Sequence, residues 1–114
     1  MIASTLKVAY LEEALEFIES LPKAAGDKLY SVIHRIEGGE RNVLLFKKLE
    51  GSEIWEFRAQ YKGIAYRLFA FWDTAEATLV IATHGLIKKT QKTPAKEIAK
   101  AERIRKYYFE AKAK

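Results

Sequence analysis

The hydrophobic period of this chain changes twice, and that change constrains its fold more than any single motif. Between residues 11 and 36 apolar side chains recur every three or four positions. From 43 to 84 they alternate or run together in short stretches, and after Pro94 the helical spacing returns. A helical stripe cannot serve as a strand face, nor a strand face as a helical stripe, so the order is helices, then sheet, then helix. Leu11, Ala14, Leu15, Ile18 and Leu21 predict a first helix over about 10–20, ended by Pro22. Leu29, Val32, Ile33 and Ile36 predict a second, closed by Gly38-Gly39. A short link between them favours an antiparallel helical pair.

The middle third reads as strands. Val43 to Phe46 leads to Lys47, Lys48 and Leu49. In Ile54 to Gln60, Trp55, Phe57 and Ala59 alternate with Glu56, Arg58 and Gln60, the pattern of a half-buried strand. Tyr61-Lys62-Gly63 supplies a turn, and Ile64 to Trp72 returns as its hairpin partner. Thr78 to His84 is β-branched and apolar enough for a central position. Residues 86–92, LIKKTQK, form a basic loop or strand extension. Thr93 as N-cap and Pro94 at the first helical position then start a helix to about Phe109, and the final Ala-Lys-Ala-Lys, 111–114, is expected to be frayed. A short leading strand is expected at 2–6. The fold class is α+β: an N-terminal helical pair and a C-terminal basic helix on one face of a three- to four-stranded antiparallel sheet.

With 114 residues the chain has room for one domain, 1–114. Its 49% hydrophobic and 31% charged residues exclude a disordered or low-complexity chain. No apolar run approaches a membrane span of roughly 18–20 residues, and no secretory leader pattern opens the sequence. The absence of cysteine removes disulfides, thiol catalysis and thiolate metal sites, so the cytoplasm is the default location. The net charge of +5 is unevenly placed: residues 1–83 carry ten Lys and Arg against twelve Asp and Glu, residues 84–114 ten against three. So concentrated a basic segment fits a polyanion, an acidic partner or a solvated helix face.

Neither His34 nor His84 has a spacing with carboxylates that suits zinc, and no glycine-rich phosphate loop is present, so neither metal nor cofactor is expected. What remains is a set of cations on or beside the sheet: Lys47, Lys48, Arg58, Arg67, His84, Lys88, Lys89 and Lys92. Alternation points Arg58 and Arg67 to the same face across a hairpin. Two arginines sharing a face call for an anion, either Glu56 in a structural ion pair or a bound phosphate. His84, ending the most apolar strand, is either a satisfied strand-end histidine or a general acid or base. RNA cleavage without a metal requires a base for the 2′-hydroxyl, cations for the phosphorane and an acid for the 5′-oxygen, and Arg, Lys and His can supply all three.

The strings KKLEGSEIWEFR, YRLF and THGLIKKTQKTPAKEIAKAERIRKYY, in this order, resemble the RelE/HigB superfamily of type II toxins, in its phage-related HigB-like branch. The resemblance spans about Leu15 to Tyr108 and is most specific in HGLIKKTQKTP. It implies a toxin that cleaves mRNA in the ribosomal A site by metal-independent 2′-hydroxyl attack and is neutralised by a cognate antitoxin, in this branch usually a helix-turn-helix protein. By the same resemblance Arg67 would stabilise the scissile phosphate, and His84 and Lys88 would transfer protons or bind phosphate. Arg58, Lys89, Lys92, Lys47 and Lys48 would hold RNA. RelE proteins place lysines on the strand before the YR dipeptide. Here that strand reads Ile-Trp-Glu-Phe-Arg, which leaves the general base to His84 or, if it is free of Arg58, to Glu56. Two alternatives stand: a ParE-like inhibitor of DNA gyrase without nuclease chemistry, and an inactive module that binds nucleic acid or antitoxin. Tyr107, Tyr108 and Phe109 either stack on a base or pack the helix on the core.

Overall fold

The fold is that of a computed structural model, which describes residues 5–89 and 92–114. In chain order the elements are β1 (Lys7–Tyr10), α1 (Glu12–Ser20), α2 (Lys23–Glu37), β2 (Phe46–Lys48), β3 (Trp55–Tyr61), β4 (Ile64–Trp72), β5 (Leu79–Lys88) and α3 (Ala95–Lys112). The strands form one five-stranded sheet ordered β1-β5-β4-β3-β2, antiparallel except where β1 runs parallel to β5. The sheet is therefore mixed and one strand wider than expected. Its extra edge strand is Lys7–Tyr10; of the strand expected at 2–6, residues 2–4 lie outside the described residues.

The expectation that all helices share one face is corrected. Helices α1 and α2 bury Ala14, Ile18, Leu29, Val32, Ile33 and Ile36 against Phe57, Leu68 and Val80. Helix α3 lies on the opposite face, where Ala101, with Ile98, Ile104, Tyr108 and Phe109, covers Phe69, Phe71 and Ile81. The cause is β4, whose six residues Tyr66 to Phe71 are all buried, so both sides of the sheet need cover. Phe57, Phe69 and Phe71 are fully buried, and each contributes roughly 1.5–3 kcal/mol by leaving water. Among the described residues, no helix is long and apolar enough to cross a membrane.

Three local features position the charged side chains of the sheet. Lys62 and Gly63, both at positive φ, make the two-residue β3–β4 turn and set the hairpin register. On β5, Ala82 pairs with Ala70 and His84 with Phe69, so Thr83 is the extra residue of a β-bulge. The bulge reverses the alternation of the strand. His84, Leu86 and Lys88 join the α3 face, whereas Gly85 turns to the α1 face and lies so close to the Phe17 ring that a Cβ would stand 2.1 Å from it. Strand β5 runs on through Lys88, so this part of the LIKKTQK stretch is a strand extension; Thr90 and Gln91 lie outside the described residues.

The expected Thr93 cap is also corrected. Pro94 occupies the N-cap of α3, no side chain among the described residues caps this helix, and the Thr93 hydroxyl is directed to Glu56. At the other end α3 runs past the expected Phe109 to Lys112, so two of the four terminal residues expected to fray are helical. There Tyr108 and Lys112 both hydrogen-bond Oδ2 of the buried Asp73.

Candidate functional site

On the α3 face of the sheet, beside the start of that helix, the strands present a row of charge. Register places Lys47 opposite Glu56, Arg58 opposite Arg67, and Lys88 opposite Ala65, diagonal to Arg67. Arg67 is 9% exposed and Glu56 2%. One carboxylate oxygen, Oε1 of Glu56, lies 3.5 Å from Nε of Arg58 and 3.4 Å from Nε of Arg67. The other, Oε2, accepts a 3.2 Å hydrogen bond from the Thr93 hydroxyl. Both arginine Nε atoms are buried, yet neither makes a hydrogen bond, since the Glu56 contacts have ion-pair distance without hydrogen-bond geometry. Glu56 thus balances charge without occupying those donors.

Of the two sequence alternatives for the arginine pair, the ion pair with Glu56 is present, and space for an anion lies beside it. A cleft of about 420 Å³ is lined by Arg58, Gln60, Gly63, Ala65, Arg67, Lys88 and Lys89. Next to it, a hollow of about 270 Å³ shares Arg58 and Lys88 and is bounded by Lys47, Glu56, Lys92 and Thr93. Burial and the neighbouring Arg58 charge lower the pKa of Arg67, against an opposing pull from Glu56. Lys88 is lowered from its ordinary value first by burial and then by Arg67, with Arg58 and Lys47 adding to the effect and Glu56 opposing it. A lysine in such a setting gives up its proton more readily than a solvated one.

His84 is placed apart from this cluster. It is 2% exposed beneath α3, its Nε2 lies 3.3 Å from Oε1 of Glu97, and its Nδ1 lies 2.9 Å from the Thr83 hydroxyl. Burial lowers its pKa, as does Lys100, while Glu97 and Glu13 pull the other way. Lys48 is also apart: it pairs with Trp55, and its ammonium bonds the Ser52 carbonyl. Lys47, Lys89 and Lys92 line the cleft or its neighbouring hollow. Tyr108 and Phe109 pack on Phe71, whereas Tyr107 is 68% exposed.

Sequence reasoning missed Thr93 as part of the site, because a Thr before Pro at a helix start reads as a cap. No local signal could have found it, since its partner is 37 residues away.

No curated protein matches the chain. A family model described as Phage derived protein Gp49-like (DUF891) matches residues 16–106, which contain every residue of the charged row. The chain therefore belongs to this phage-derived Gp49-like family, a family of RelE/HigB-like toxins associated with toxin–antitoxin systems.

Proposed function

We propose that this protein is the toxin of a type II toxin–antitoxin pair in the phage-related HigB-like branch and a ribosome-dependent mRNA endonuclease acting in the cytoplasm. The observation that carries this reading is the convergence of Arg58, Arg67 and Lys88 on one open cleft, with two buried Nε–H donors left without hydrogen bonds. A phosphodiester suits that cleft. Its non-bridging oxygens accept from the guanidinium groups, and negative charge building on the phosphorane is met by preorganised cations.

In the reaction the 2′-oxygen attacks the adjacent phosphorus, the bond to the 5′-oxygen breaks, and a 2′,3′-cyclic phosphate and a 5′-hydroxyl result. The proton lost from the 2′-hydroxyl balances the one gained by the leaving oxygen. Lys88 is the residue of the cluster suited to moving that proton, because it lines the cleft beside Arg67 and its surroundings lower its pKa from the ordinary lysine value. Glu56 is engaged by both arginines and by Thr93, and His84 is enclosed under α3. Both are assigned to positioning instead. Lys47, Lys89 and Lys92 extend the cationic track for the strand on either side.

The partners are a cognate antitoxin of helix-turn-helix type and the ribosomal A site with its mRNA. The test uses purified protein and ribosomes programmed with mRNA, alongside the same mRNA carrying a 2′-deoxy nucleotide at the cleaved position. Cleavage of the first and not the second supports the reading; cleavage of both, or of neither, overturns it.

A further inference from the structure

Thr93 precedes Pro94, the N-cap residue of α3, and its hydroxyl crosses to the sheet and bonds Oε2 of Glu56. The consequence lies in the two oxygens of Glu56. Oε2 is held by Thr93; Oε1 faces Nε of Arg58 and of Arg67 at 3.5 and 3.4 Å but outside hydrogen-bonding geometry.

A carboxylate this close to two guanidinium groups would ordinarily rotate to accept their N–H donors in short, directed bonds. Here it does not, and both Nε–H groups remain buried and unsatisfied. A buried unmatched donor is unfavourable, so the arrangement has to be held against its natural collapse. Among the described residues, the hydrogen bond on Glu56 that pulls the other way comes from the Thr93 hydroxyl.

We propose that Thr93 is a positioning residue that keeps Glu56 from closing onto Arg58 and Arg67, so that the arginine donors stay available to a phosphodiester. Glu56 then has two separate effects: its charge offsets the repulsion between two arginines in register, and its restrained orientation leaves their hydrogen-bonding capacity unused. Thr93 also lines the hollow beside the cleft, so the start of α3 reaches the phosphate site through this hydroxyl. The inference deepens the nuclease reading, because it concerns the site proposed to hold the scissile phosphate, but the geometry it describes exists with or without cleavage.

The test compares wild type with Thr93→Val, which keeps the shape and loses the hydroxyl, and Thr93→Ser, which keeps the hydroxyl. Two quantities are read. The first is the ¹⁵N-resolved Nε–H resonances of Arg58 and Arg67 in the free protein. The second is affinity for a single-stranded oligodeoxynucleotide, which carries the phosphodiester and cannot be cleaved by 2′-hydroxyl attack. In Thr93→Val both resonances should move downfield and exchange more slowly as Glu56 closes, with affinity falling about tenfold, the equivalent of one charge-assisted hydrogen bond. Thr93→Ser should match wild type in both. A merely structural role predicts instead a lower melting temperature with unmoved resonances, and that result overturns the proposal, as does failure of Ser to restore them. If the resonances respond while the wild-type protein cleaves no programmed mRNA, the positioning role stands and the nuclease reading falls.

Discussion

Arg58 and Arg67 are direct cross-strand partners, and their Nε atoms lie 3.5 and 3.4 Å from the same oxygen of Glu56. Like charges directly opposite on a sheet repel, so the pair persists only with a shared counter-ion. The same repulsion, added to burial, makes Arg67 a costly residue for the fold and a suitable one for an anionic ligand.

This relationship makes a double-mutant cycle informative. Arg67→Ala leaves Glu56 with Arg58 and Thr93 and should cost about 1 kcal/mol or less, as should Arg58→Ala. Removing both leaves a carboxylate that is 2% exposed with the Thr93 hydroxyl and the charges of Lys47 and Lys88 but no guanidinium beside it, and should cost about 3–5 kcal/mol. Denaturant unfolding of the four proteins checks it; strict additivity would mean that Glu56 does not couple the pair.

Lys88 should show opposite effects on activity and stability. Its folded-state pKa is lowered from 10.5, so the unfolded chain binds more protons between the two values and stability rises with pH through that window. Lys88→Met removes a cation that the fold disfavours at neutral pH, so the melting temperature should rise while cleavage is lost. If the neutral amine is the active form, the cleavage rate climbs with pH through the lowered Lys88 pKa. Arg58→Gln, by removing a charge that depresses that pKa, moves the climb to higher pH. A pH–rate profile on wild type and Arg58→Gln measures both.

Salt dependence separates the lysines. Lys89 lines the cleft and Lys47 the adjoining hollow, whereas the Lys48 ammonium is held by the Ser52 carbonyl on the Trp55 side. Lys89→Gln and Lys47→Gln should each reduce the slope of log affinity against log salt by about 0.7 for single-stranded RNA, and Lys48→Gln should leave it unchanged. Filter binding across a salt series reads the slopes.

The alternation on β3 and β4 was legible in the sequence, and with it the shared face of Arg58, Arg67 and Glu56, because period-two patterning survives wherever a hairpin is regular. Lys88 was legible as a cation but not as a neighbour of Arg67. The bulge at Thr83 reverses the facing of every later β5 residue, and nothing in Thr-His-Gly announces an unpaired residue. The position of α3 was hidden for a related reason: its apolar stripe is visible, but a sheet face that needs cover is apparent only once β4 is seen to be buried on both sides. His84 drew attention as a strand-end histidine, and only the packing of α3 shows it enclosed.

Asp73 supplies a test of how α3 is fixed. Hydrogen bonds from Lys112 and Tyr108 hold its carboxyl well below the ordinary 3.8. For a carboxylate lowered in the folded state, the stabilisation is complete above the unfolded pKa and is lost as pH falls through the folded one. Thermal melts from about pH 5 down to about pH 2 should therefore decline less steeply for Asp73→Asn than for wild type. Equal slopes would show that Asp73 does not anchor the helix.

Cutting of mRNA on the ribosome by the Arg58–Arg67–Lys88 cluster is tested most directly in cells. Wild type and Arg67→Ala are induced and the 5′ ends of transcripts mapped, with and without a block on translation. The expected result is growth arrest with new 5′-hydroxyl ends inside translated codons, absent in Arg67→Ala and absent when translation is blocked. Arrest without new ends, or new ends that persist in Arg67→Ala, would contradict it.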